Sequence, residues 1–292
     1  LIIILSVFKK KNSGATRGSN RSQRSRKTRE QRRRKLTVRD LGVKLEISKS
    51  ELVRHNVQYE TTTIPKRSGG KRILHVPDRA SKHLQRTLLK LLIERLPIHD
   101  DVHGFRKGHS IVDNAAEHIG QEVIVKLDIV DFFPSTNSER VESAFKGAGF
   151  DKSSAKLLTR LTCYEGGLPQ GAPTSPALSN YVNKNMDVKL ADAALRRSAR
   201  YTRYADDITF SFAEYSRDKI HELLISTGKI LQYYGYRLNY RKKRIIRQHR
   251  QQLVTGLVVN ERVNLPRKTR RWLRAVKHRM ETGGEPSLTA AE

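Results

Sequence analysis

Two adjacent aspartates, Asp206 and Asp207, lie between two short runs that are rich in β-branched and aromatic residues. Such runs are typical of strands, so the sequence predicts a β-hairpin with both carboxylates at its turn. Adjacent carboxylates repel each other and raise each other's pKa, and a bound cation relieves the repulsion. A third carboxylate, Asp128, ends the apolar run of residues 122–130. If this run forms a strand beside the hairpin, all three can share divalent metal, as in a two-metal phosphoryl-transfer site.

The charge of the chain indicates a polyanionic partner. Its 292 residues include 58 Lys and Arg against 29 Asp and Glu, a formal net charge of +29. Such an excess favours binding to the phosphate backbone of nucleic acid. The thirteen basic residues between Lys9 and Lys35 are accompanied by one acidic residue, Glu30, which predicts a disordered arm. This arm either coats nucleic acid or is a solvated linker.

Two features predict a cytoplasmic protein without a membrane segment. The apolar run of residues 1–8 is too short to span a bilayer, and it precedes the basic stretch, unlike the apolar part of a secretory signal. Cys163 has no second thiol with which to form a disulfide or a Cys-based metal site, which fits a reducing compartment.

A basic hairpin is predicted for residues 61–78. Two strand-like segments flank Gly69 and Gly70, and four cations cluster at the tip, namely Lys66, Arg67, Lys71 and Arg72. Four cations on one turn suit a triphosphate, and an ordinary solvated turn is the alternative interpretation. The next segment predicts a helix that Ser81 caps and that ends before Pro97.

The rest of the pattern predicts further helices and short strands. A basic loop over residues 104–110 leads into a helix with Asn114 and His118 on one face. A loop rich in Gly and Pro, with Gln170 as its one long polar side chain, precedes a helix that begins near Ser175. Helices are also predicted over residues 216–235 and 267–280, and strands over 236–246 and 253–259.

Taken in order, these blocks resemble the reverse transcriptases, and most specifically the retron reverse transcriptases of bacteria. Tyr-Ala-Asp-Asp at residues 204–207 and Leu-Asp at 127–128 are similar to the family's catalytic motifs, and Leu-Pro-Gln-Gly at 168–171 is similar to the loop beside its incoming nucleotide. Asn-Ala-Ala-Glu-His at 114–118 and Val-Thr-Gly at 254–256 resemble elements that favour retrons over group II intron relatives. The resemblance covers roughly residues 40–280 in several ordered blocks.

The resemblance implies an α+β right-hand polymerase with fingers, a ferredoxin-like palm built on an antiparallel sheet, and a short helical thumb. The domains would be the basic arm over residues 1–35, N-terminal helices and fingers over 36–120, the palm with interleaved finger elements over 121–250, and a partial thumb over 251–292. Only 36 residues follow Gly256 (292 − 256). We therefore expect the thumb to be cut short and the chain to be a fragment.

The same resemblance implies roles for individual residues. Asp128, Asp206 and Asp207 would hold two Mg²⁺ ions, for which Mn²⁺ is a possible substitute. Lys242, or Lys243 beside it, would protonate the departing pyrophosphate. The deoxynucleotide would contact Lys66, Arg72, Ile129, Asp131, Phe133 and Gln170, with Phe133 as the gate against a ribose 2′-OH. The RNA would contact Asn114, His118, Val254, Thr255 and Gly256.

The resemblance further implies an enzyme that copies a cognate structured non-coding RNA into single-stranded DNA. Synthesis would begin from a guanosine 2′-OH and give a branched RNA-DNA product. The partners would be that RNA, the RNA-DNA hybrid, deoxynucleoside triphosphates and an effector protein in phage defence. Two alternatives stay open: another bacterial reverse transcriptase, either intron-encoded or defence-associated, and a non-catalytic RNA-binding scaffold, which would not need all three aspartates.

Overall fold

The first part of the fold is a pair of helices followed by the basic hairpin. The computed structural model describes residues 35–65 and 69–282, so most of the predicted basic arm, together with Lys66 and Arg67, lies outside the described residues. Helices α1 (Val38–Leu45) and α2 (Lys49–Arg54) come first. Strands β1 (Tyr59–Pro65) and β2 (Lys71–Pro77) then pair antiparallel, which confirms the predicted hairpin.

Helix α3 (Arg79–Leu91) begins earlier than the sequence predicted. The carboxylate of Asp78, and not the hydroxyl of Ser81, caps it by accepting the backbone N–H groups of Ala80 and Ser81 at 2.9 and 3.0 Å. The prediction of a Ser81 cap was wrong because that residue is fully buried inside the first turn, where its hydroxyl meets Nε2 of His55 at 2.9 Å. A short 3₁₀ turn, Ile93–Arg95, follows α3.

The middle of the chain is mainly helical. It contains α4 (Ile111–Ala116), strand β3 (Val123–Asp128), α5 (Ser138–Gly147), α6 (Lys152–Thr162), α7 (Ser175–Val182) and α8 (Lys184–Leu195). The predicted start of α7 at Ser175 is confirmed, with Pro176 in its first turn, where its missing N–H is not needed. Helix α4 ends at Ala116, so Asn114 lies in the helix and His118 lies beyond it.

Four antiparallel strands form the central sheet. Strands β4 (Ala199–Tyr204) and β5 (Asp207–Phe212) form the predicted hairpin, and β6 (Arg244–Arg247) completes a sheet in the order β4-β5-β3-β6. Strand β6 is shorter than predicted because the 3₁₀ turn Tyr240–Lys242 takes up part of the segment. Helix α9 (Arg217–Tyr233) begins after its Ser216 cap, as expected.

The last elements are a small hairpin and a basic helix. Strands β7 (Leu253–Val254) and β8 (Leu257–Val258) pair around Thr255 and Gly256, which corrects the single strand predicted there. Helix α10 (Arg267–Glu281) has the predicted position and contains no buried residue. In the part of the chain that the structure describes, no helix combines the length and apolar character needed to cross a membrane.

The two faces of the central sheet have different environments. Side chains alternate between the faces of a strand, and in β3 Val123, Val125 and Leu127 join the core formed with α8 and α9. Ile124 lies on the opposite face, where it packs with α4 and the β7–β8 hairpin. Another apolar core joins α1, α3, α5 and α6. Asp128 shares the face of Ile124, so its carboxylate points away from α8 and α9.

Candidate active site

The pairing of β3 with β5 brings the candidate catalytic residues together. Asp128 is directly opposite Asp207 in this antiparallel pair, and directly opposed residues project from the same face of a sheet with Cβ atoms about 4.5–5.5 Å apart. Asp206 lies in the two-residue turn before β5, and its carbonyl accepts the backbone N–H of Ile129 at 3.1 Å. The prediction that Asp128 lies beside the Asp206–Asp207 turn is therefore confirmed.

The turn itself has an unusual backbone. Tyr204 pairs with Asp207, and Ala205 between them has φ +58°. This left-handed conformation is uncommon for a residue with a Cβ atom and requires support from the surrounding structure. The strained residue therefore directly precedes Asp206.

The electrostatics of the corner disfavour three bare negative charges. Burial, followed by the neighbouring Asp206 carboxylate, raises the pKa of Asp207 to about 6. Burial also raises the pKa of Asp206, and Asp128 adds to this effect while Lys242 opposes it. The ammonium of Lys242 contacts Oδ2 of Asp128 at 2.6 Å, and this hydrogen bond raises the pKa of Lys242. The site thus holds repelling carboxylates whose charge the nearby cations Lys242, Lys126 and Arg72 offset only in part.

The chemistry of the donors fits a divalent cation. All three side chains offer carboxylate oxygens, which are the ligands preferred by Mg²⁺ and Mn²⁺, and a cation would relieve the repulsion that raises the two pKa values. In this conformation, with Lys242 on Asp128, no three acidic, His or Cys side chains within residues 35–65 and 69–282 are grouped tightly enough to hold a metal ion. Because the ammonium of Lys242 contacts Oδ2 of Asp128, a cation that binds this oxygen would displace it.

A loop and the basic hairpin lie near this corner, and a hydrogen bond joins them to each other. The backbone N–H of His75 in β2 donates to the carbonyl of Gln170 at 2.7 Å, which ties the loop before α7 to the hairpin. Gly171 follows with φ +122°, and a Cβ atom there would lie 2.9 Å from the carbonyl oxygen of His75. The exposed Arg72 is close enough to oppose the rise in the pKa of Asp206, whereas Lys66 lies outside the described residues.

The segment after β3 places aromatic rings beside the aspartates. Phe133 is half-buried, and its ring centroid lies 6.0 Å from that of Phe105 and 5.5 Å from that of Phe132. Phe105 also lies 6.4 Å from Tyr204, next to the catalytic turn. Asp131 is exposed with φ +46°. Ile129 is only 2% exposed and its side chain packs in the core of the sheet, so the expectation that its side chain contacts a nucleotide is corrected.

Comparison with known proteins agrees with this geometry. The family model for reverse transcriptase (RNA-dependent DNA polymerase) matches residues 64–265, a range that includes all three aspartates. The chain belongs to the reverse transcriptase family. Members of this family generally use divalent metal ions, in accord with the oxygen donors described above.

Two curated relatives identify the branch of the family. This reverse transcriptase is 39% identical over 246 residues to the retron Mx65 reverse transcriptase of Myxococcus xanthus, covering 78% of this chain and 56% of that protein. It is 33% identical over 234 residues to the retron Ec86 reverse transcriptase of Escherichia coli, covering 77% of this chain and 71% of that protein. The chain is thus a retron-type member that spans little more than half the length of the Mx65 protein.

A solved structure supports the fold. The apo telomerase of Candida tropicalis superposes on this reverse transcriptase with a TM-score of 0.50 at 13% identity, covering 71% of this chain and 47% of that one. At this identity, the likeness concerns the fold alone. It agrees with a polymerase fold of mixed helices and sheet.

The residues expected to contact RNA in this reverse transcriptase are largely inaccessible. His118 is fully buried, and its Nδ1 and Nε2 meet the hydroxyls of Ser211 and Thr202 at 2.7 and 2.8 Å. Burial lowers the pKa of His118 to about 3, so its imidazole is neutral. The His118 ring thus joins β4 to β5 through these two hydrogen bonds. The expectation that His118 contacts RNA directly is corrected, because no part of its ring reaches the surface.

Two of the other four residues expected to contact RNA are also buried. Asn114 is 1% exposed, with no hydrogen-bond partner for its side-chain amide among the described residues. Val254 is fully buried beside Ala115 and Ile124. Thr255 is half-buried and its hydroxyl donates to the carbonyl of Ile111 at 2.9 Å, while Gly256 is exposed. Only Thr255 and Gly256 reach the surface and can meet RNA directly.

A buried ion pair behind the site was not predicted from the sequence. Arg203 in β4 and Asp187 in α8 are both fully buried and contact each other at 2.7 Å. A signal was present, because Arg203 alternates with Tyr201 on the apolar face of β4, and Asp187 has helical spacing with Leu190 and Ala194. A charge at a core position requires a partner.

Proposed function

We propose that the chain carries the catalytic unit of a retron RNA-directed DNA polymerase. The observation that carries the proposal is the opposition of Asp128 and Asp207 across β3 and β5, with Asp206 in the adjoining turn. Family membership and the identity to retron reverse transcriptases support it. Nucleotidyl transfer would be performed at this corner, with two Mg²⁺ ions held by the three carboxylates.

The proposed chemistry divides the work among the residues of the site. Bound divalent cations would lower the pKa of the primer hydroxyl and neutralise the triphosphate. Lys242 would donate a proton to the departing pyrophosphate. Its hydrogen bond to Asp128 raises its pKa, so release from that carboxylate would make the ammonium a better proton donor. Arg72, with Lys66, would offset the negative charge that develops on the leaving group.

The proposed sugar selectivity depends on Phe133. Its ring, on the segment that follows β3, packs with the ring of Phe132 on the same segment and with that of Phe105. A bulky ring at this position would leave no room for a ribose 2′-OH, so the substrate would be a deoxynucleoside triphosphate. Gln170 would contact the nucleotide or template from the loop that is tied to β2, and Asp131 would border the same pocket.

The proposed template is a cognate structured non-coding RNA, primed from a guanosine 2′-OH to give branched RNA-DNA. The net charge of +29 supports a nucleic-acid partner. In this proposal the β1–β2 hairpin and neighbouring helices act as fingers, the central sheet with α8 and α9 as the palm, and α10 as the start of the thumb. An effector protein in phage defence would be a further partner.

The test is to express the protein with its flanking DNA and to look for RNA-linked DNA. We expect branched product from the wild-type chain and from an Asp192→Asn control, whose carboxylate is exposed on α8. The variant with both Asp206→Asn and Asp207→Asn should make none. DNA synthesis by that double variant would contradict the assignment of the catalytic aspartates. If the wild-type chain extends any primed RNA but makes no branched product, another kind of bacterial reverse transcriptase would be favoured.

A further inference from the structure

A buried ionic cluster lies behind the catalytic turn, on the face of the sheet that packs against α8. We define it as Arg203, Asp187, Tyr201 and Asn180. The guanidinium of Arg203 donates from Nε and Nη2 to the two carboxylate oxygens of Asp187 at 2.7 and 2.8 Å, and the hydroxyl of Tyr201 donates to Oδ1 at 2.8 Å. This is the bidentate geometry that binds an arginine most rigidly to a carboxylate.

The remaining nitrogen of Arg203 reaches the catalytic turn. Nη1 donates to the carbonyl of Ala205 at 3.0 Å and to Oδ1 of Asn180 at 3.2 Å. The Ala205 carbonyl belongs to the peptide bond that joins Ala205 to Asp206. Because Ala205 is in the left-handed region, this hydrogen bond fixes the direction of a strained peptide that would otherwise relax.

The buried ionic cluster also fixes the segment that borders the turn. The amide of Asn180 donates to the carbonyl of Gly104 at 2.7 Å, and the backbone of Arg203 pairs with Asp101 and His103. Gly104 is so close to the turn that a Cβ atom there would lie 2.6 Å from the backbone nitrogen of Ala205. The turn is therefore confined on one side by Arg203 and on the other by the backbone of Gly104.

Stability alone does not account for this pair. Removing two ions from water is costly, and apolar residues of similar volume often replace a buried ion pair without loss of stability. What an apolar pair cannot supply is the hydrogen bond from Nη1 to the turn. Arg203 is fully buried and donates to the peptide that precedes Asp206, so it helps to set the orientation of that candidate metal ligand.

We propose that Arg203, held by Asp187, is a positioning residue that orients the peptide between Ala205 and Asp206, so that Asp206 and Asp207 can bind divalent cations together with Asp128. The inference rests on the proposed function. It predicts that disturbing Arg203 weakens cation binding and slows nucleotide incorporation, while the binding of the primed template, which involves other surfaces, stays unchanged.

The test uses two variants that keep the core filled. In the double variant Arg203→Met with Asp187→Leu, apolar side chains replace the pair; in Arg203→Lys, the charge remains but the fork that reaches Ala205 is lost. The matched control is Glu142→Gln with Lys146→Met, which removes a partly exposed ion pair on α5, far along the chain from the buried ionic cluster. The measurements are Mg²⁺ affinity by calorimetry on the protein alone, and kcat and KM for nucleotide addition.

We expect the variants to fold, with Mg²⁺ affinity and kcat each at least about tenfold below wild type, KM for the primed template within about twofold, and the control unchanged. Wild-type Mg²⁺ affinity and kcat in a folded Arg203→Lys or double variant would overturn the proposal. If the wild-type chain binds Mg²⁺ but makes no DNA, the proposed function fails, and the calorimetric comparison still decides the role of Arg203.

Discussion

Replacing Asp207 with asparagine is expected to stabilise the metal-free protein at neutral pH, although it removes a proposed metal ligand. The pKa of Asp207 is raised from 3.8 to about 6. Its folded-state pKa thus lies above its unfolded value, so its contribution to stability is fully present below about pH 4 and is lost as the pH rises through 6. A shift of about two units corresponds to at most about 3 kcal/mol.

The magnitude of the effect should therefore depend on pH. Asp207→Asn should leave the free energy of unfolding nearly unchanged at pH 4 and raise it by about 2–3 kcal/mol at pH 7.5, because the asparagine has no charge to bury. Urea unfolding in the presence of a chelator, at both pH values, measures this difference. Asp192→Asn, at an exposed carboxylate on α8, serves as the control and should change little at either pH.

Adding Mg²⁺ should reverse the order of stability. A ligand that binds only the folded state stabilises it by mass action, so the wild-type protein should gain stability with Mg²⁺ and Asp207→Asn should gain less. The reasoning would be refuted if the variant were equally destabilised at pH 4 and pH 7.5 without metal, since its effect would then come from lost packing and not from charge.

Three further outcomes follow from the geometry. Phe133→Ala should admit ribonucleotides, seen as at least about a tenfold fall in the ratio of kcat/KM for deoxynucleotides over ribonucleotides, and unchanged sugar discrimination would refute the gate. Lys242→Met should slow single-turnover nucleotide addition by roughly 10²-fold or more. A rate near wild type would show that Lys242 is not the proton donor. Gly171→Ala should lower the free energy of unfolding by about 1–3 kcal/mol because its Cβ would meet the His75 carbonyl. Gly166→Ala, which also has positive φ but has nothing within 4 Å of its Cβ, should cost less, and equal losses would contradict the contact.

Local pattern was sufficient to locate the catalytic corner. The β-branched runs around Asp206 and Asp207, and the apolar run before Asp128, specify strands with short-range signals. Their placement side by side was only a condition at the level of the sequence, because β3 pairs with β5 and not with β4, the next strand along the chain. The β3–β5 register then follows from the burial of alternate residues, because a slip by one residue would turn Asp128 into the core.

Features that depend on tertiary contacts were not predictable in this way. Asp78 and Ser81 are both good capping residues, and the choice between them is made by the burial of Ser81 against His55. Thr255 has φ +46°, which a β-branched residue disfavours, so Thr255 itself indicated a strand, and Gly256 after it was the one local turn signal. The turn forms because Val254 and Leu257 on either side are buried against α4 and β3.

The link between strand β2 and the loop before α7 has a consequence for substrate entry. The hydrogen bond from His75 to Gln170, and the close approach of Gly171 to the His75 carbonyl, couple the basic hairpin to that loop. If Arg72 and Gln170 have the proposed roles, a movement that brings Arg72 toward a triphosphate would shift Gln170 as well. Phosphate binding and contact with the base would then be coupled, so a mispaired nucleotide would also be bound less tightly through its phosphates.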